Sequence, residues 1–311
     1  MGSKPSIIVS GAAGFIGSHL IKRLASNFTL YAFDRLEKSQ SMERASTSPV
    51  PIHKADLHDQ FWPEGRQFDF AIHLAAETGV GPSDSQPELY WKQNVEGTEK
   101  FVQACLDRGV KHLIYASSSS VYSPNQEVMK ESSCTEHPLS YYGKTKKEAE
   151  KLIERLCKQS DLRAIGLRFF TVYGSQVRSD MAAASFMKKL SLGEPLTLYN
   201  EGEVERDFTH VSDVCESIAR LIPCIEHLPP SSHSCMNIGR GQPTSVLVYA
   251  QTIAEALHAK LTFNSKPLPK NELTRTHSDS SLLSKTIDFQ PQVGLQEGVT
   301  EMANWYKSLE T

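Results

Sequence analysis

The sequence predicts an α/β fold, a doubly wound parallel sheet with a smaller mixed α/β lobe. Three observations lead there. Short apolar runs alternate with amphipathic helical stretches through the first half of the 311 residues, and such alternation builds a parallel sheet covered on both faces. A glycine-rich turn, Gly11-Ala12-Ala13-Gly14-Phe15-Ile16-Gly17, follows the first apolar run and opens a helix. After about residue 171 the pattern changes to helices separated by short strands and proline-rich loops such as Leu228-Pro229-Pro230. The expected division is 1–170 for the first lobe and 171–311 for the second, with the chain partly returning to the first.

Residues 7–9, 30–33, 52–55, 70–74, 113–116 and 164–169 are short apolar runs of strand length. Residues 15–27, 88–108 and 140–159 carry helical periodicity between them, and further helices are expected near 181–192, 211–222, 244–258 and 295–308. Residues 38–50 are polar and serine-rich and read as a surface loop without chemistry of their own.

Composition bounds the function. Charged residues make up 22% and the formal net charge is -3. No basic block gives a footprint for nucleic acid, and no apolar run approaches a membrane span. Six cysteines, none in a Cys-x-x-Cys pair, argue against zinc and against a disulfide framework, and suit a reducing cytoplasm. No metal site is expected. Met1-Gly2 with Ser6 has the form of a myristoylation pattern, set aside because Ser6 abuts the first strand.

The strand-turn-helix context makes the glycine turn a Rossmann dinucleotide site. Gly11 permits the tight turn, Gly14 lets backbone approach a pyrophosphate, and Gly17 lets helix and strand pack closely. Free N–H groups and a positive partial charge at the helix start favour phosphate. Asp34 ends the next strand, seventeen residues after Gly17. A carboxylate there accepts from ribose hydroxyls and repels a 2′-phosphate, which favours NAD; Arg35 leaves NADP open.

Tyr142 precedes Lys146 by four residues in a predicted helix, after a strand ending in Ser117-Ser118-Ser119. An ammonium one turn away favours the phenolate of a group whose reference pKa is about 10. Such a tyrosine can take the proton of an alcohol while hydride leaves the adjoining carbon. An isolated pair of this kind is more often a solvated helix face; the glycine turn gives this one its weight.

These motifs, with Ala55-Asp56-Leu57, His73-Leu74-Ala75-Ala76, Asn94-Val95-Glu96-Gly97-Thr98, Arg206-Asp207-Phe208 and Asn237-Ile238-Gly239, resemble the extended short-chain dehydrogenase/reductases over nearly the whole chain. Within them the chain is similar to nucleotide-sugar epimerases, and most to UDP-glucuronate 4-epimerases. The match runs through residues 116–122 and 167–174 and through Arg178-Ser179-Asp180-Met181-Ala182.

The resemblance implies roles. Ser118 would bond the reacting sugar hydroxyl, Tyr142 would be the base, and Lys146 its partner and a ribose ligand. Phe15 and Ile16 would lie with the glycines at the cofactor, Asp56 and Leu57 beside adenine, and Leu74, Ala75 and Ala76 along the cofactor channel. Asn94 would fix a neighbouring loop, unless it simply caps its helix. Ser119, Ser120, Thr171 and Arg178 would lie at the sugar, Arg206 at the diphosphate and Tyr199 on uracil. The family usually dimerises through two long helices, here those near 88–108 and 140–159.

Several positions depart from the glucuronate pattern. Gly81-Pro82 replace an arginine and an aromatic, Ser175 and Gln176 a proline and a tryptophan, and Asn271 and Glu272 a glycine and an aspartate. These touch the sugar's identity rather than the cofactor chemistry. Epimerisation at carbon 4 is the expected reaction, with UDP-glucuronate or its galacto epimer first and neutral UDP-sugars next. Dehydratases and decarboxylases place titrating groups where this chain has Ser119 and Ser120, which do not ionise near neutrality. An NADPH-consuming reductase and a non-catalytic nucleotide sensor complete the alternatives.

Overall fold

The computed structural model describes residues 4–309; the Met1-Gly2 pattern lies outside them. The first half holds β1 (Ser6–Ser10), β2 (Thr29–Asp34), β3 (Ile52–Lys54), β4 (Phe70–His73), β5 (His112–Ser118) and β6 (Arg163–Phe169). Between them run α1 (Phe15–Leu24), α2 (Ser39–Ser46), α3 (Val80–Ser85), α4 (Pro87–Trp91), α5 (Gly97–Asp107) and α6 (Tyr141–Lys158). The second half holds β7 (Thr171–Tyr173), β8 (Leu196–Tyr199), β9 (Glu205–His210), β10 (His233–Ile238), β11 (Pro243–Ser245) and β12 (Phe263–Lys266). Its helices are α7 (Ala182–Ser191), α8 (Val211–Ile225), α9 (Val246–Leu257), α10 (Ser281–Ile287) and α11 (Leu295–Lys307).

The main sheet has seven strands in the order β10-β6-β5-β4-β1-β2-β3, all parallel. Its order reverses between β1 and β4, so the crevice beyond their carboxyl ends is the place for a ligand. Alternation along β1 feeds two cores. Ile7 and Val9 join a cluster with Leu20 and Ile21 of α1 and Ile218 of α8. Ile8 joins Phe33, Phe101 of α5 and Ile153 of α6 on the other face. Period two in the strand and two helical layers around it account for each other.

All six expected strands and all seven expected helices form, with two refinements. The stretch near 88–108 is α4 and α5 joined by a π-helical turn at Lys92–Glu96. The return to the first sheet is made by β10, which pairs with β6, and α8 packs on α1. The rest of the second half forms a three-stranded sheet, β11-β9-β7, a two-stranded sheet, β12-β8, and helices around Tyr173, Phe208 and Tyr249.

The serine-rich stretch is the clearest correction. Residues 39–46 form α2 rather than a loop. Its Arg44 is 6% exposed and donates to Ala13 O at 3.3 Å and Gln176 O at 2.7 Å. An arginine anchor, not an apolar stripe, holds the helix down. No helix among the described residues is long and apolar enough to cross a membrane. All six cysteines are free.

Candidate active site

The glycine turn is built by close approach. Gly11 has φ +70°, and a Cβ there would lie 2.5 Å from Ala75 N. A Cβ on Gly17 would lie 2.1 Å from Gly11 O. Gly14 N donates to Gly11 O at 3.0 Å, and Gly14 caps α1 with no side chain in the way. No acidic residue occupies the first turn of α1, so its free N–H groups face a cleft of about 510 Å³ lined by Gly11, Gly14, Phe15, Ile16 and Gly17. That cradle suits a pyrophosphate.

Asp34 stands at the next strand end. Its Oδ2 accepts from Ala13 N at 3.2 Å and its Oδ1 from Leu36 N at 3.1 Å. Burial pushes its carboxyl up, against the two N–H groups and the charges of Arg35 and Arg44. Arg35 is committed elsewhere. It bonds Glu77 and also faces Glu37 at 3.7 Å and Asp56 at 4.0 Å. Three carboxylates around one guanidinium disfavour a further dianion, so the residues present fit NAD better than NADP. Leu57 lines this cleft, and Asp56 is not part of its wall.

Arg44, Gln40 and Ser41 of α2 line the same cleft, a role the sequence reading did not give them. Gln40 Oε1 accepts from Ser179 N at 3.2 Å across the cleft. The helix therefore bridges the glycine turn and the loop of the second lobe.

Leu74, Ala75 and Ala76 line the cleft after β4. A directed chain of hydrogen bonds supports them. Ala75 N donates to Ser10 Oγ at 3.4 Å, and Ser10 Oγ meets His73 Nδ1 at 2.6 Å. His73 Nε2 meets Thr98 Oγ1 at 3.0 Å, and Thr98 Oγ1 donates to Asn94 O at 2.7 Å. Because the threonine proton is committed to Asn94, the hydrogen of His73 belongs on Nε2. Burial lowers the His73 pKa to about 3, so the ring is neutral. Asn94 sits in the π-helical turn, away from the cavity. It accepts from Glu77 N at 2.8 Å and donates to Glu77 O and Thr145 Oγ1, each at 3.0 Å. These bonds clamp the loop after β4 to α6.

The reacting end is set by β5 and α6. Ser118 ends β5 and accepts from Ser120 N at 3.1 Å. Ser140 Oγ caps α6 by accepting from Gly143 N at 3.0 Å. A Cβ on Gly143 would lie 2.2 Å from Ser120 O, so that glycine lets the start of α6 close on the serine run. Ser118, Tyr142 and Lys146 then meet in the cleft wall. Burial raises the Tyr142 pKa, while the Ser118 hydroxyl and Arg178 draw it back. Arg178 is one cation that favours the phenolate, and Lys146 stands one helical turn from Tyr142. Lys146 is lowered to about 8 by burial, opposed by Glu150.

A second cavity of about 210 Å³ adjoins the first and is lined by Ser118, Ser119, Ser120, Thr171, Arg206 and Glu272, among others. Ser118 is common to both. Arg206 bonds Glu272 at 3.0 Å. Arg178 lines the first cleft and is paired twice to Asp180, at 2.9 and 3.1 Å. Tyr199 ends the edge strand β8, is 42% exposed and lines neither cavity. Among the described residues no group of His, Cys, Asp and Glu is arranged to hold a metal.

Residues 7–262 match the NAD dependent epimerase/dehydratase family. The chain belongs to that family. Among its relatives is the probable UDP-glucuronate 4-epimerase of Rhizobium meliloti, 29% identical over 96% of this chain and 96% of the relative. MoeE5, solved in complex with UDP-glucuronic acid and NAD, superposes with a TM-score of 0.87 at 31% identity, covering 98% of this chain and 99% of that one. The UDP-glucuronic acid 4-epimerase of Bacillus cereus, solved with UDP-glucuronic acid and NAD, gives a TM-score of 0.90 at 27% identity with the same coverage. The cofactor of this epimerase/dehydratase family member is NAD.

Proposed function

We propose that the chain is an NAD-dependent UDP-sugar 4-epimerase whose substrate pair is UDP-glucuronate and UDP-galacturonate. One observation carries the reading: Ser118 is a shared wall of the cofactor cleft and of the second cavity, so a sugar hydroxyl held by Ser118 faces both Tyr142 and the cofactor. NAD bound in the cleft would supply the hydride acceptor and donor for carbon 4 of the sugar, so that hydride leaves one face and returns to the other. Tyr142 removes and returns the proton of the 4-hydroxyl. Ser118 orients that hydroxyl, and Lys146 holds the nicotinamide ribose. Gly11, Gly14, Phe15, Ile16 and Gly17 hold the pyrophosphate, while Asp34 takes the adenosine ribose, with Leu57 beside adenine. Arg206 receives the diphosphate in place of Glu272, a exchange suited to a bidentate guanidinium. Ser119, Ser120 and Thr171 offer neutral donors to a sugar carboxylate. Such donors orient the acid without a full charge and so restrain loss of carbon dioxide from the 4-keto intermediate. Ser119 and Ser120 also leave the site without the titrating pair a dehydratase needs.

A neutral hexose is the second reading, favoured by the pairing of Arg178 with Asp180, which leaves that arginine's charge compensated. Incubation with UDP-glucuronate, UDP-glucose and UDP-N-acetylglucosamine, followed by chromatographic separation of epimers, tests both. Conversion of UDP-glucuronate is expected. Conversion of the neutral sugars alone overturns the uronate and keeps the mechanism; conversion of none overturns the epimerase.

A cytoplasmic homodimer is the expected setting. The outer faces of α5 and α6 expose Glu99, Lys100, Gln103, Lys144, Lys151 and Arg155, so a pairing through them is polar and salt-sensitive. Light scattering at micromolar concentration checks it; a monomer contradicts it.

A further inference from the structure

A second set of charges lies behind the reacting side chains. Tyr142, Lys146 and Glu150 recur at four-residue steps along α6, which puts them on one face. Glu150 is 2% exposed. Its Oε1 accepts from Ser117 Oγ at 2.6 Å and from Arg168 Nε at 2.9 Å, and its Oε2 accepts from Arg168 Nη2 at 2.9 Å. Ser117 and Arg168 are direct partners across β5 and β6. Arg168 Nη1 donates to Tyr122 OH and Glu131 O, both at 3.1 Å, and Tyr122 OH donates to Asn237 Oδ1 at 2.6 Å. One carboxylate thus ties α6 to β5 a single residue before Ser118, and anchors that tie through β6 to β10.

We propose that Glu150 is a positioning residue for the reaction: through Ser117 it fixes Ser118 against Tyr142, and one helical turn from Lys146 it is that amine's counter-charge. The inference rests on the epimerase reading of the site. A buried ion pair is a weak stabiliser compared with apolar side chains of the same size, so stability alone is a poor reason for charges at this spot. The surroundings of Lys146 leave Glu150 as its counter-charge. Tyr142 lies on the same helix, and His73 faces Lys146 from β4 as a neutral ring. Arg168 from β6 and Lys147, 3.7 Å from Glu150 Oε2, are cations paired to the same carboxylate. Burial favours a protonated Glu150, but the Arg168 fork, Ser117 and Lys147 outweigh it and hold the group ionised. Lys146 is 4% exposed, and Glu150 opposes the loss of its proton.

The test reads Lys146 directly. Competitive amine labelling across pH, followed by peptide mass spectrometry, gives its titration midpoint in the cofactor-free protein, expected near 8 in the unaltered chain. Glu150→Gln keeps the shape and removes the charge; Lys146 should then hold its proton about tenfold more weakly. The alkaline limb of kcat should move down with it, and KM should stay. Because Glu150→Gln strands Arg168, the double variant Glu150→Gln/Arg168→Met removes both charges and should show the same lowered midpoint. Ser117→Ala cuts only the tie to β5, and should lower kcat about tenfold or more with KM and the Lys146 midpoint unchanged. An unchanged midpoint in the glutamine variants, or an unchanged kcat in Ser117→Ala, overturns the proposal. An unaltered protein that labels normally but converts no UDP-sugar overturns the epimerase reading instead.

Discussion

Acid should loosen this fold through His73, and the size of the effect follows from where the ring sits. The imidazole is 3% exposed, stacks on Phe101 at 4.6 Å and is held by Ser10 and Thr98. Its pKa falls from 6.5 to about 3 on folding. The unfolded chain therefore takes up a proton near pH 6.5 that the folded chain refuses until about pH 3. The folded-state pKa is the depressed one, so this contribution is complete above pH 6.5 and is lost as the pH falls toward 3. Each pH unit in that window costs about 1.4 kcal/mol, which gives about 2 kcal/mol between pH 7 and pH 5. Net stabilities are commonly about 5–15 kcal/mol, so the loss is easily read by urea denaturation. His19, His210 and His233 are also lowered by burial and add to the same slope. The comparison that isolates His73 is with His73→Asn, which keeps an acceptor for Ser10 and removes the titrating ring. The variant should be less stable at pH 7, having lost the Phe101 stacking and the Thr98 bond. From pH 7 to pH 5 it should lose about 2 kcal/mol less than the unaltered protein. Equal losses in the two proteins would refute a neutral, buried His73.

Tyr142→Phe should lower turnover about a hundred- to ten-thousand-fold while NAD stays bound; near-normal epimerisation sinks the assigned base. Gly17→Ala puts a methyl 2.1 Å from Gly11 O and should cost about 1–3 kcal/mol and weaken NAD, seen in thermal unfolding and cofactor titration. A variant equal to the parent in both would mean that α1 and the turn are not in contact. Asn94→Ala leaves Glu77 N–H and C=O without their partner; at about 1–3 kcal/mol for each stranded group, urea denaturation should show a loss of several kcal/mol. A change under about 1 kcal/mol says the clamp is not holding the loop.

The parallel sheet was legible because its strands are short, apolar and separated by helices with a clear apolar stripe. Ile7, Ile8 and Val9 announce burial on both faces before any contact is known. The glycine turn was legible for the same kind of reason: Gly11 and Gly17 stand where any Cβ would strike backbone. α2 was not legible, because Ser-Gln-Ser-Met-Glu-Arg-Ala-Ser has no stripe; Arg44 holds it through two carbonyls that come from distant parts of the chain. α3 was hidden by Gly81 and Pro82, both poor helix formers. The π-helical turn inside the 88–108 stretch adds one residue to a helix, which periodicity over so short a run does not resolve. Tyr199 is expected at the nucleotide on resemblance alone; its exposed side chain at the end of β8 carries no local signal of that role. Glu150 had a signal that went unused: it continues the four-residue step from Tyr142 through Lys146, and a third ionisable group on that face is not needed for solubility.

Arg35 bears on how this protein can be redesigned. Its guanidinium sits where many mutational routes to a phosphorylated cofactor would begin, yet Glu37, Asp56 and Glu77 already satisfy it. Replacing Asp34 alone removes one repulsive charge and leaves three more within reach of the incoming phosphate's neighbour. The arginine becomes a phosphate ligand only when its cage is opened as well, and Glu77 is the wall that Asn94 fastens to α6. Cofactor choice here is thus tied to several side chains and one loop, not to Asp34 alone.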